Sequence, residues 1–182
     1  MSLADDTDLS AYKISIEIKP DRFSIHDNCG GISLDDAANY AFTFGRKDDA
    51  ETENFSIGVY GIGMKRAVFK IGSKISIRST FTDNDDLMSF CVPVDVDTWL
   101  AAGDGNWDFD IEGTDNLAAP GVQIDVTDLN EAAAQSFESP RFLQDLRRAI
   151  ARDYALHLHR GLTIEVEGKS INGWAIELRQ GG

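Results

Sequence analysis

Two stretches of the 182-residue chain carry residues whose types and spacing could do chemistry: Asp27-Asn28-Cys29-Gly30-Gly31-Ile32, and Gly58-Val59-Tyr60-Gly61-Ile62-Gly63-Met64-Lys65. In the first, a carboxylate that can accept a hydrogen bond from an exocyclic amine stands beside two glycines that let backbone approach a flat ring, a combination that can read adenine. Taken alone, the same residues also make an ordinary tight turn. In the second, Gly58, Gly61 and Gly63 lead into a run with helical spacing. Free backbone N–H groups and the positive end of a helix dipole would face a ligand there, with Lys65 and Arg66 as counter-charges. Phosphate suits such a site, although a flexible linker entering a helix would look the same. The run is not a Walker A loop, because Met64 stands where lysine is needed, and not the dinucleotide fingerprint, because Arg66 stands where the third glycine should be. It is the pairing of the two motifs that favours a purine nucleotide, its ring at the first and its phosphates at the second.

The elements that must hold these residues are legible on either side. Tyr12, Ile14, Ile16 and Ile18 alternate with polar residues, the period-two pattern of a strand with one buried face. Pro20-Asp21 turns the chain, and Phe23 and Ile25 carry the alternation into Asp27, which therefore sits where a strand becomes a loop. Ser33 and Asp36 form a capping box, after which Leu34, Ala37, Ala38 and Ala41 predict a helix to near Phe44-Gly45. Residues 46 to 56 are polar and charged with no period, which predicts a long loop of the kind that serves as a mobile lid. Met64, Ala67, Val68 and Ile71 recur at helical spacing, predicting a helix with Gly72 as its C-terminal cap. The second half reads as strands at Ile75 and Ile77, at Met88 to Val94, at Trp107, Phe109 and Ile111, and at Val122, Ile124 and Val126, with a turn at Asp83-Asn84-Asp85-Asp86. Ser139-Pro140 starts a helix running to about Leu158, followed by a hairpin from Leu162 to Leu178 that turns at Glu167-Gly168-Lys169. Strands follow strands without a helix between each pair, so the fold class expected is an α+β two-layer sandwich rather than a doubly wound sheet.

Composition narrows the function classes. The chain is 42% hydrophobic, long enough for one domain with a substantial core. Seventeen Lys and Arg face 31 Asp and Glu, a formal charge of -14 that repels phosphate backbones, so direct nucleic-acid binding is not expected. Cys29 and Cys91, without a leading apolar segment, read as free thiols in the cytoplasm. No apolar stretch approaches the ~20 residues of a membrane span. The opening Met1-Ser2-Leu3 and the stop at Gly181-Gly182 lead us to expect a piece of a longer protein. Lesser candidates have blander readings. His157 and His159 lie two apart on a helix and do not face each other, so they suit the helix dipole better than a metal. The acidic run from Asp104 to Asp115 has Phe109 where a calcium loop needs glycine and Asp115 where it needs glutamate. Cys29 has no evident neighbouring base and reads as a small residue.

The two motifs together, with Gly121-Val122-Gln123-Ile124 on a later strand, resemble the GHKL or Bergerat-fold ATPases, the superfamily of DNA gyrase, the ninety-kilodalton heat-shock chaperone, histidine kinases and mismatch-repair ATPases. The lysine two residues after the last lid glycine is most similar to the chaperone and MORC branches. The resemblance covers residues 12 to 127 well and 140 to 172 loosely, and implies a mixed, mostly antiparallel sheet with helices on one face. It implies that Asp27 accepts the adenine amine, Gly31 lets the ring approach and Ile32 packs on it. It further implies that Gly58, Gly61 and Gly63 wrap the phosphates with Lys65 near the terminal ones, and that Val122 lies beside the base. ATP or ADP would be the ligand, with Mg²⁺ in the full-length parent. Three departures stand out. Cys29 replaces the first glycine of D-x-G-x-G, and Val122 replaces a threonine that helps hold adenine. The family's first helix, whose glutamate activates water and whose asparagine holds Mg²⁺, has no counterpart before Tyr12, and Asn28 and Asn39 follow the second strand.

Two functions follow from the resemblance. One is an ATP-binding domain, spanning residues 1 to 182 with its nucleotide-binding part at 12 to 127 and a helix and hairpin at 128 to 182. Closure of its lid would drive change in neighbouring domains, with a homodimer among the assemblies left open. The other is a degenerate, non-catalytic interaction module. A histidine kinase is disfavoured, because its lid glycines are spaced differently.

Overall fold

The computed structural model describes residues 8–38, 69–101 and 110–174. Strands β1 (Lys13–Lys19) and β2 (Arg22–Asp27) form a hairpin in which Ile16 faces Ile25. A second hairpin joins β3 (Gly72–Asp83) to β4 (Asp86–Asp95). Its two-residue turn takes Asn84 and Asp85 to φ 48 and φ 70, a left-handed pair matched to the twist of the strands. β5 (Glu112–Gly113), β6 (Gly121–Leu129), β7 (Thr163–Val166) and β8 (Lys169–Ser170) complete one sheet in the order β5-β4-β3-β6-β2-β1-β7-β8. β1 and β7 pair in parallel, and the other described pairings are antiparallel.

Alternation gives this sheet one apolar and one polar side. The register aligns Ile16, Ile25, Ile124, Ile77 and Val92 in a row across five strands. Their side carries the cluster of Ile75, Ile77, Phe90, Val92, Ile124 and Val126, which Ala37 joins from the end of α1 (Leu34–Asp36). A second cluster sets Ile14, Ile16, Ile164 and Val166 against Leu143, Leu146 and Ile150 of α4 (Pro140–Asp153), while Phe137 of α3 (Glu131–Phe137) stacks on Phe23 at 6.3 Å. Ser15, Glu17, Ser24, His26, Gln123 and Asp125 fall on the other side, where several of them line a shallow cavity of ≈ 360 Å³. This is the α+β two-layer sandwich with a mixed, mostly antiparallel sheet that the sequence leads one to expect.

The departures have local causes. Gly72 is not a helix cap but the first residue of β3. Residues 69–71 are helical and run straight into the strand, and a Cβ on Gly72 would lie 2.5 Å from the Thr127 carbonyl oxygen of β6. α2 (Val96–Ala101) and α3 were unforeseen. Asp95 accepts from the Thr98 N–H at the start of α2, and Asn130 accepts from Ala133 N–H at 2.9 Å to cap α3. Asn130 also donates its own N–H to Ile71, tying the end of β6 to the turn that leads into β3. The single helix expected to Leu158 is divided at Tyr154 into α4 and α5 (Ala155–His159). In the second arm of the final hairpin only Lys169 and Ser170 pair as a strand among the described residues, and 175 to 178 lie outside them. Ile171 adds one bond to Ile164, and the Trp174 N–H then donates to Ala151 of α4, drawing the chain onto the helices. Ile111 lies outside the short β5, while Trp107 and Phe109 are outside the described residues, as are 39 to 68 with the predicted loop and most of both predicted helices. No helix among the described residues is long and apolar enough to cross a membrane.

Candidate functional site

Asp27 is the last residue of β2, and the strand's alternation puts it on the same side as Phe23 and Ile25, facing the helical layer. Its Oδ1 accepts two backbone bonds, from the Cys29 N–H at 2.8 Å and from the Val122 N–H of β6 at 3.3 Å. The first closes an Asx-type turn and the second stands in for the next rung of the β2–β6 ladder. Both bonds fall on Oδ1, so among the described residues no backbone N–H is committed to Oδ2.

Gly31 and Gly121 are packed against backbone, while Gly30 is open. Gly31 has φ +78°, and a Cβ there would lie 2.0 Å from the Thr80 carbonyl oxygen, so the loop lies directly on the backbone of β3. Gly30 has φ +102°, with nothing within 4 Å of its Cβ position, and its N–H donates to Pro120. Gly121, at the start of β6, approaches so closely that a Cβ would meet the Asp27 carbonyl oxygen at 1.9 Å. Ile32 is partly buried against the larger cluster, as is Val122. The sequence-predicted residues Asp27, Gly31, Ile32 and Val122 thus come together at one end of β2, β3 and β6. Gly58, Gly61, Gly63 and Lys65 lie outside the described residues.

Two further residues complete this corner and escape a reading of local patterns. Ser79 and Thr80 are fully buried polar residues of β3. The Ser79 hydroxyl accepts from the Ile32 N–H at 2.7 Å and donates to the Ile32 carbonyl at 3.0 Å. The Thr80 hydroxyl pairs with that of Ser89 and accepts from the Leu117 N–H, holding the segment that leads to Gly121. The available signal was a serine at the buried phase of Ile75, Ile77 and Phe81, and a glycine directly before a strand.

Electrostatics separate the neighbours of Asp27. Burial pushes the Cys29 thiol above its usual value, and the nearby Asp27 carboxylate pushes it in the same direction, so the thiol stays protonated at neutral pH. Asn28 is spent structurally. Its carboxamide accepts from the Lys13 N–H at 2.6 Å and donates to Ala11 at 3.0 Å, which clamps the open end of the β1–β2 hairpin. Among the described residues no group of three or more His, Cys, Asp or Glu is placed to hold a metal ion. The described corner offers one carboxylate oxygen, a glycine-thin wall and an aliphatic platform.

No curated protein matches the chain. A family model described as "Histidine kinase-, DNA gyrase B-, and HSP90-like ATPase" matches residues 4–107, which span the Asp27 loop and the glycine run to Gly63. That match covers more than half of the chain, and with the sheet and the loop geometry it means that the protein belongs to the histidine kinase-, DNA gyrase B- and HSP90-like ATPases, a family of ATP-binding domains.

Proposed function

We propose that this chain is an ATP- and ADP-binding domain in which the Asp27 carboxylate accepts the exocyclic amine of adenine. Gly31 gives the ring room, Ile32 and Val122 pack against it, and Gly58, Gly61 and Gly63 wrap the phosphates beside Lys65. The observation that carries this reading is Asp27 itself, held at a strand end by two N–H bonds to Oδ1 and able to receive a ligand donor on Oδ2. Lid closure over bound nucleotide would move neighbouring domains of a larger, cytoplasmic protein of the chaperone or MORC branch, with Mg²⁺ held by groups that the described residues do not supply. The acidic charge supports a nucleotide rather than nucleic acid as the ligand, and one sheet through the described residues supports a single domain.

Calorimetry with ADP and Mg²⁺ tests the assignment. Asp27→Asn replaces a charged acceptor by a neutral amide and should weaken ADP about 10- to 100-fold, the loss of a charge-assisted hydrogen bond of ~1.5–3 kcal/mol. Unchanged affinity in that variant would sink the adenine assignment. The second reading, a non-catalytic interaction module, is favoured by Val122, which offers no hydroxyl to the base. It requires that millimolar ADP leave the melting temperature unmoved, whereas an occupied site raises it by mass action.

A further inference from the structure

Along the helix-facing side of β3 the sequence runs Ile75, Ile77, Ser79, Phe81, and the serine in this apolar row is completely buried. A buried hydroxyl needs partners, and this one finds both of them on a single residue outside its strand: the N–H and the carbonyl of Ile32. Ile32 belongs to no strand, so the hydroxyl does for its backbone what a ladder partner would otherwise do. On its other flank Ser79 faces Val122 in the β3–β6 register, and Val122 donates to Asp27. A continuous set of contacts therefore runs from Ile32 through Ser79 and Val122 to Asp27, across three strands, linking the aliphatic platform to the carboxylate.

We infer that Ser79 is a positioning residue that fixes the height of the Ile32 platform relative to Asp27 and thereby sets selectivity for the 6-amino edge of the purine. This rests on the adenine assignment proposed above. A ring lying on Ile32 presents its edge to Asp27 only while the two are held at a set separation, and a hydrogen bond to a carboxylate oxygen fails within a few tenths of an ångström or a few tens of degrees of misplacement. Adenine and hypoxanthine share their shape and differ at that edge: adenine sets a 6-amino donor beside an N1 acceptor, hypoxanthine a 6-carbonyl acceptor beside an N1–H donor. The carbonyl meets the carboxylate acceptor to acceptor, so a loosened platform costs the adenine nucleotide its bond and spares the hypoxanthine nucleotide, which never had it.

The experiment titrates the full chain and its Ser79→Ala, Ser79→Thr and Asp27→Asn variants with adenosine diphosphate and inosine diphosphate in the presence of Mg²⁺. Ser79→Ala should lower the preference for adenosine over inosine diphosphate about tenfold, the worth of one hydrogen bond, while Ser79→Thr, which keeps the hydroxyl, restores most of it. A general loss of structure would weaken both nucleotides alike and leave the ratio unchanged, and that outcome overturns the inference. If the preference is lost in Asp27→Asn but intact in Ser79→Ala, only the role of Ser79 falls. If the wild-type chain has no preference, or Asp27→Asn keeps it, the adenine assignment falls and takes this inference with it. Should Ser79→Ala fail to fold, Ser79→Cys, which keeps the volume with a weaker donor, is judged by the same ratio.

Discussion

Gly30 and Gly31 form a matched pair in which backbone strain and steric exclusion can be measured separately. Both have positive φ, +102° and +78°, so alanine at either position carries a conformational penalty of ~1–3 kcal/mol. They differ in surroundings. The Cβ of Gly30→Ala would meet nothing within 4 Å, whereas that of Gly31→Ala would lie 2.0 Å from the Thr80 carbonyl oxygen and 2.8 Å from its carbon. Neither atom is the end of a flexible side chain. Both belong to the backbone of a strand paired on each side, to β4 and to β6, so the loop must lift or the sheet must bend. Forcing extra volume into such a contact costs a further ~1–3 kcal/mol. Gly31→Ala should therefore destabilise by roughly 2–6 kcal/mol in all and exceed Gly30→Ala by at least ~1 kcal/mol, out of a typical stability of ~5–15. Urea unfolding followed by circular dichroism gives both values, and in thermal melts each kcal/mol corresponds to about 2–4 °C for a chain of this size. Equal destabilisation by the two substitutions would mean that the loop does not rest on β3, and the close wall proposed for the nucleotide would go with it.

Two other expectations concern charge. Cys29 should react with iodoacetamide more slowly than a free thiol at pH 7.5, and Asp27→Asn should speed its labelling about two- to tenfold, because the carboxylate adds to burial in holding the thiol protonated. A rate unchanged in the variant would show that Asp27 does not bear on the thiol. Glu167, at φ 53 in the β7–β8 turn, accepts from the Ile18 N–H at 2.5 Å and from Lys19 Nζ at 2.9 Å, and these bonds hold its carboxyl below the ordinary 4.5. A lowered folded value stabilises above pH 4.5 and is lost as the pH falls through that folded value, so wild type should exceed Glu167→Gln by ~0.5–1 kcal/mol at pH 7 and converge with it in acid. A gap in the urea midpoints that is independent of pH would assign the difference to packing.

What could be read from the sequence depended on how far apart the responsible residues lie. The β1–β2 hairpin and the place of Asp27 at its end are local, set by alternation and a Pro-Asp turn, and they stand where the pattern put them. The caps of α2 and α3 are equally local, at Asp95 and Asn130, but neither short helix carries the repeating apolar stripe that betrays α4. Gly72 looked like a cap because a glycine after a helical run usually is one. Its actual constraint, the Thr127 carbonyl, lies on a strand that pairs only in the folded sheet. Ser79 and Gly121 belong to the same class. Their partners Ile32 and Asp27 are distant in sequence, so no window of neighbouring residues could reveal that this corner is braced by a serine or that Gly121 lies against the Asp27 backbone.

The position of β6 has a consequence for how the chain comes to life. In the strand order, β6 is what joins the β3–β4 hairpin to the β1–β2 hairpin. During synthesis from the N-terminus, Asp27 and Ser79 both emerge well before Val122 exists to connect them. At 5–20 residues per second, the stretch from the end of the second hairpin to the end of β6 takes roughly 2–7 s to make. Throughout that interval the inner edges of β2 and β3 have no β6 to pair with, the exposed-edge condition that invites pairing with other chains. The family match at 4–107 stops short of this strand, so a polypeptide cut to that span would include both hairpins without the strand that joins them.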